Sequence, residues 1–97
     1  MIKWLRLKNI CEEIVDQDIT ISLSTSNDLA VVNSVVSFDN QQAHIILNGL
    51  FCKGIPQIVK AVSHELVHIV LNSAGHPKDF EEKWVYYETK ILEKYKQ

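Results

Sequence analysis

Residues 56 to 71 read Pro56-Gln57-Ile58-Val59-Lys60-Ala61-Val62-Ser63-His64-Glu65-Leu66-Val67-His68-Ile69-Val70-Leu71, and the reading of this run decides the fold. Pro56 suits a first helical turn, where its missing N–H is no loss. Helix-compatible sequence continues to Ala74-Gly75, with Gly75 as a C-terminal cap and Pro77 where a helix cannot go on. Ile58, Val59, Val62, Leu66, Val67, Ile69, Val70 and Leu71 are distributed almost all round the axis. A helix apolar on every side is a buried helix, because a surface helix keeps one polar face. His64, Glu65 and His68 therefore need partners, since buried polar groups without them are costly.

Those three residues form the pattern H-E-x-x-H. Histidines four apart lie one above the other on a helical face, so both imidazoles can reach one Zn²⁺. The intervening Glu65 then stands beside the open coordination position as a base for the bound water. A catalytic zinc site wants a third protein ligand. The candidates are His76, Glu81, Glu82, Glu88 and, more remotely, His44 and Cys52, the last of which would close the site as a structural one. The elongated H-E-x-x-H-x-x-G-x-x-H motif is not satisfied, because Leu71 and Ala74 stand where it needs Gly and His. His76 then reads as an exposed turn residue.

Residues 77 to about 95 read as a second helix, with acids early and lysines late as the helix dipole prefers. Phe80, Trp84, Tyr87, Ile91 and Tyr95 mark its buried stripe, and Glu88 borders that stripe. Counted from the turn between the helices, Glu88 and His68 lie at comparable depths, which makes Glu88 the first choice of third ligand and Glu81 the second. Tyr86 and Tyr87 offer phenols beside Glu88, but no oxyanion stabiliser is identifiable.

HELVH followed some twenty residues later by a glutamate on a second helix resembles the gluzincin metallopeptidases. The brevity of the chain makes it most similar to the minigluzincins, which consist of the catalytic domain only. The resemblance covers most of the chain. It implies His64, His68 and Glu88 as zinc ligands, Glu65 as general base, and an antiparallel strand at the lip of the cleft that pairs with an extended peptide. Larger gluzincins often place an aspartate one turn after the ligand glutamate to hold a histidine ring; this chain has Leu92 there, so the partner of His64 must come from elsewhere.

The first half of the chain fits such a scaffold. Residues 2 to 15 place Ile2, Trp4, Leu5, Ile10, Ile14 and Val15 at mostly helical spacing, and Asp16-Gln17-Asp18 breaks the helix. Residues 19 to 24 alternate apolar and polar as a strand does. After the turn cluster Ser26-Asn27-Asp28, the valine-rich stretch 29 to 38 reads as a second strand with a bend possible at Asn33-Ser34. Residues 43 to 48 read as a third. The expected fold is α+β: a small antiparallel or mixed three-stranded sheet, arranged as a meander, packed on an N-terminal helix, an active-site helix and a C-terminal glutamate helix. The strand before the zinc helix would line the cleft, and Asn48-Gly49 at its end reads either as an ordinary turn or as a point of close backbone approach. His44 reads as a strand surface residue.

Composition bounds the function. Ninety-seven residues with 46% hydrophobic content make a single domain, 1–97, with one modest core. The net charge of −2 is dispersed, so no basic surface argues for nucleic acid, and no apolar stretch is long enough to span a bilayer. The first residues carry no continuous apolar segment of a signal peptide, and Cys11 and Cys52 read as buried thiols of a cytoplasmic protein rather than a disulfide framework. Within these bounds the H-E-x-x-H motif and the gluzincin resemblance imply a zinc-dependent endopeptidase acting through a zinc-activated water, with an unfolded or extended peptide as partner and self-association across the cleft strand as a restraint. The nine residues after Glu88, at most about 14 Å of helix, still have Ile91 and Tyr95 to bury and are not expected to plug the site. Two other functions remain open: a latent or non-catalytic zinc-binding interaction domain, and a zinc amidohydrolase that does not cut peptides.

Overall fold

The computed structural model describes residues 2–28, 34–39, 41–71 and 75–96. Along the chain run α1 (Trp4–Val15), β1 (Thr20–Ser26), β2 (Ser34–Asp39), β3 (Gln42–Asn48), α2 (Ile55–Leu71) and α3 (Phe80–Tyr95). The class is α+β, with three helices and a three-stranded sheet in which β1 and β3 form a parallel pair.

The strand order β1-β3-β2 differs from the expected meander. β3 sits in the centre, parallel to β1 and antiparallel to β2. Its composition explains the place: Ala43, Ile45 and Leu47 are buried on one face and Asn48 is buried at its end, as befits a strand flanked on both sides. β1, with Thr20, Ser22, Ser24 and Thr25, has the polarity of an edge. The strand that precedes the motif helix therefore has no free edge, contrary to the sequence-based expectation. The edges belong to β1 and β2, and of these β2 is the one packed against α2.

One face of the sheet is polar, and on it exposed His44 places Nε2 2.9 Å from Ser24 Oγ on the neighbouring strand. The other face carries Ile21, Ala43, Ile45 and Leu47 into the core, where the helices cover it. β3 ends in an ordinary turn: the Asn48 carbonyl accepts from the Phe51 and Cys52 N–H groups and its side chain accepts from Leu50 N–H. Close approach is real as well, because a Cβ on Gly49 would come within 2.5 Å of Asn27 Oδ1.

α1 stops where the sequence says, with Asp16 left-handed at φ 52° and its N–H returned to the Glu12 carbonyl. Its inward stripe is Leu7, Ile10, Cys11 and Val15 rather than one through Leu5, which is 69% exposed. α2 begins with one half of a capping box, since Gln57 Oε1 accepts from the Gly54 N–H at 2.8 Å, and Pro56 falls in the first turn as expected. The α2 span ends at Leu71, and Gly75 is not a left-handed cap, because no described glycine has positive φ. α3 begins only at Phe80, after a turn in which Phe80 N–H bonds the Pro77 carbonyl. Its far end is held by α1: Tyr95 Oη accepts from Lys3 N–H, Arg6 donates to the Lys94 carbonyl, and Lys94 pairs with Glu13. Among the described residues no helix is long and apolar enough to cross a membrane.

Leu66, fully buried between the two histidines of the motif, anchors α2 in the core. Leu66→Ala is expected to lower folding stability by about 2–5 kcal/mol in urea denaturation. Val85→Ala on the exposed face of α3 is expected to change it by less than about 0.5 kcal/mol.

Candidate metal centre

His64 and His68 are one helical turn apart on α2, and their Nε2 atoms face each other at 3.3 Å. A tetrahedral ion with Zn–N bonds of about 2.0–2.1 Å separates two ligand nitrogens by about 3.3–3.4 Å, so this pair already has the spacing of two zinc ligands. His76, exposed in the connection between α2 and α3, completes a group whose ligand atoms all lie within 4.8 Å of one another. These three histidines are the group among the described residues that can hold a metal ion.

Aromatic rings from the start of α3 wall this group. Phe80, almost fully buried, has its ring centroid 5.0 Å from that of His64, 4.8 Å from His68 and 4.4 Å from His76. Trp84 stands edge-on to His64 at 4.6 Å, and its indole N–H donates to the Lys60 carbonyl at 2.9 Å. These contacts fix the register of the two antiparallel helices. Phe80 lies level with His68 and His64, and Trp84 with His64 and Lys60.

The same register locates Glu88. Four residues beyond Trp84, or about 6 Å further along α3, it is level with the α2 turn that precedes Lys60. Glu88 is half-buried and is not a member of the histidine group. Counted from Gly75 and Pro77, Glu88 and His68 lie at comparable depths; counted from the observed helix ends, His68 lies three residues before Leu71 and Glu88 eight residues after Phe80. Glu81 and Glu82 are exposed in the first turn of α3 and are not in the group either. His76 was the residue that sequence reasoning undervalued. The available signal was its place in a short chain reversal directly after the motif helix, which returns a side chain to that helix. His44 lies on the outer face of the sheet, and Cys52 is buried, without membership of the group.

Glu65 follows His64 on α2, about 100° round the axis, and is only 4% exposed. Tyr87 is buried in the α3 stripe, and burial raises its phenol pKa, so it belongs to the core. The thiols are set apart from the chemistry: burial, then the neighbouring Glu12, pushes Cys11 up to about 12, and burial also raises Cys52.

Burial lowers the His64 pKa to about 4, with further lowering from the positive charge that His68 and His76 would carry. At neutral pH this imidazole is therefore unprotonated, which is the form that binds a metal. Its Nδ1 is buried and has no hydrogen-bond partner. A histidine that ligates through Nε2 ordinarily donates its other N–H to an acceptor. Leu92, one turn after Glu88, supplies none.

The donor set suits zinc or another divalent metal that accepts imidazole. Three imidazoles gathered against Phe80, two of them with nitrogens at ligand spacing, fit such an ion. In comparisons with known proteins, no family model, curated protein or solved structure matches the chain.

The lowered His64 pKa has a stability consequence. Between pH 6.5 and about 4 the unfolded chain protonates this histidine while the native state does not, so the unfolded state binds more protons there. The His64 contribution is thus intact above pH 6.5 and is lost as pH falls toward 4. Urea midpoints of metal-free protein should drop across that window, and a His64→Gln variant should show a shallower drop. Equal slopes in the two proteins would remove His64 as the cause.

Proposed function

We propose that the chain is a metal-dependent hydrolase that cuts peptide bonds, with Zn²⁺ held by His64, His68 and His76 and with Glu65 as general base. The observation that carries this reading is the facing pair of imidazole nitrogens at 3.3 Å, joined by a third imidazole and followed on the same helix by a buried carboxyl group. A bound zinc supplies Lewis acidity, polarising a carbonyl and lowering the pKa of a coordinated water. The residues of the chain do the rest. His64 and His68 present Nε2 in a fixed orientation because α2 is rigidly buried. Phe80 and Trp84 exclude water from one side of the rings. Glu65 accepts a proton and returns it to the departing amine.

A peptide substrate fits the sheet. β2 is the antiparallel edge strand packed against α2, so an extended chain adding to it would run beside the helix that carries the histidines. The resemblance to gluzincins supports the same reaction through H-E-x-x-H. It assigns the third ligand to Glu88, whereas the proximity of the rings favours His76.

Metal content separates these assignments. Purified protein should bind about one Zn²⁺ per chain. His64→Ala, His68→Ala and His76→Ala should each lose it, and Glu88→Ala should retain it. Zinc retained in His76→Ala and lost in Glu88→Ala would reinstate the glutamate ligand. Glu65→Gln should keep both the zinc and the fold while hydrolysis of casein falls at least ~100-fold, the usual scale of a general base. A wild-type chain that binds zinc and leaves casein and short peptides intact would favour a zinc-binding domain without turnover.

A further inference from the structure

The charges along α1 run against its own dipole. Lys3, Arg6 and Lys8 all precede Asn9, and Glu12, Glu13, Asp16 and Asp18 all follow it. A helix prefers the reverse order, which α3 has, with Glu81 and Glu82 in its first turn and Lys94 in its last. α1 has no acid in its first turn and no base in its last. Contacts within the chain absorb part of this charge: Lys8 pairs with Glu12, Glu12 accepts from the Ile21 N–H, and Glu13 pairs with Lys94. The Glu13 side chain nonetheless stays 66% exposed, and Lys3 and Asp16 are exposed at the two ends of the helix.

We infer that this face of α1 is a two-fold interface on which a second copy of the chain docks, α1 against antiparallel α1. An antiparallel copy presents the same charges in inverted order. With the helices crossing at Asn9, Arg6 of each copy comes within a residue of the level of Glu13 of the other, and Lys3 within a residue of Asp16. The two-fold repeats both pairs, because a symmetric contact uses the same patch on each copy. An anionic membrane or a nucleic acid would be repelled by the acidic half of the helix, whereas a second copy answers both halves.

Leu5 supplies the apolar centre. It is 69% exposed and shares one helical face with Asn9 and Glu13 through four-residue spacing. Beside it a groove of about 510 Å³ runs between α1 and the end of α3, lined by Leu5, Arg6, Asn9, Ile10, Glu13 and Lys94. In the antiparallel arrangement Leu5 of the second copy falls at the level of Glu13 and enters this groove. There it packs on Ile10 and on the methylene stems of Glu13 and Lys94. An apolar centre with a charged rim is the ordinary anatomy of a protein interface. The groove lies at the end of α3 remote from the histidines, since Lys94 is about 15 Å of helix beyond Trp84. The interface is therefore separate from the candidate metal centre and does not rest on the hydrolase reading.

Sedimentation velocity of the full chain, from low to high micromolar concentration, should show a monomer–dimer equilibrium that weakens as salt is raised. Leu5→Glu should raise the dimer Kd by at least ~30-fold, the scale of a central anchor. Its circular dichroism should match the wild type, because Leu5 is exposed in the single chain. Arg6→Glu and Glu13→Arg should each be monomeric, since each sets like charges opposite one another on both sides of the two-fold. Mixed in equal amounts they should form a heterodimer, because every 6–13 pair is then again of opposite sign. A wild-type chain that stays monomeric throughout the range overturns the inference. So does a dimer that survives Leu5→Glu, and so do two folded charge variants that remain monomeric when mixed. If a charge variant fails to fold, the comparison of wild type with Leu5→Glu decides alone.

Discussion

Burial of α2 is the constraint from which the remaining architecture follows. Nine of its seventeen residues are buried, among them Ser63 and Glu65, so the helix must be covered on most of its circumference. The sheet and α3 supply that cover, since α2 packs on β2, β3 and α3. Ser63 resolves its own burial by donating to the Lys60 carbonyl. The histidines are treated differently. They stand half-buried where the cover of α2 passes to the start of α3, so their rings are enclosed by other rings while their nitrogens point at one another.

The cover is also what selects the site. α3 is fastened to α2 near one end by Trp84 on the Lys60 carbonyl, and to α1 at the other end by Tyr95 and Lys94. With both ends fixed, the register of α3 along α2 cannot slide by a turn without breaking the indole hydrogen bond and unstacking Phe80. The position of His76 is a consequence, because the turn at residues 77–79 that starts α3 sets the histidine back over the motif. One aromatic contact pattern thus determines which third side chain reaches the pair.

Much of this was legible in the sequence, and the parts that were not share a cause. The motif helix, the α1 stop at Asp16, the α3 stripe of Phe80, Tyr87 and Ile91, and the polar outer face of β1 follow from local periodicity, which a sequence carries directly. The central place of β3 did not, because consecutive strands pair with their neighbours often enough that a meander is the natural expectation. The choice between Glu88 and His76 depends on where α2 ends and α3 begins, boundaries that a sequence places only to within a few residues. The stretch 29–33, read as part of the second strand, lies outside the described residues; from Ser34 onward the strand is present.

The identity of the third donor is a question of charge as well as position. Two imidazoles and a carboxylate would leave a divalent ion with a net +1 site, whereas three neutral imidazoles leave the full +2. The larger uncompensated charge acidifies a bound water more strongly and attracts a carboxyl group placed nearby. Glu65 is the buried carboxyl group next to such a site, one residue from His64 on the same helix. The unpartnered Nδ1 of His64 acts in the same direction, since an imidazole without an acceptor behind it is a weaker donor. A metal ion held by these three histidines would therefore combine a strong uncompensated charge with a ligand of reduced basicity, and both tendencies would raise Lewis acidity at the expense of metal affinity.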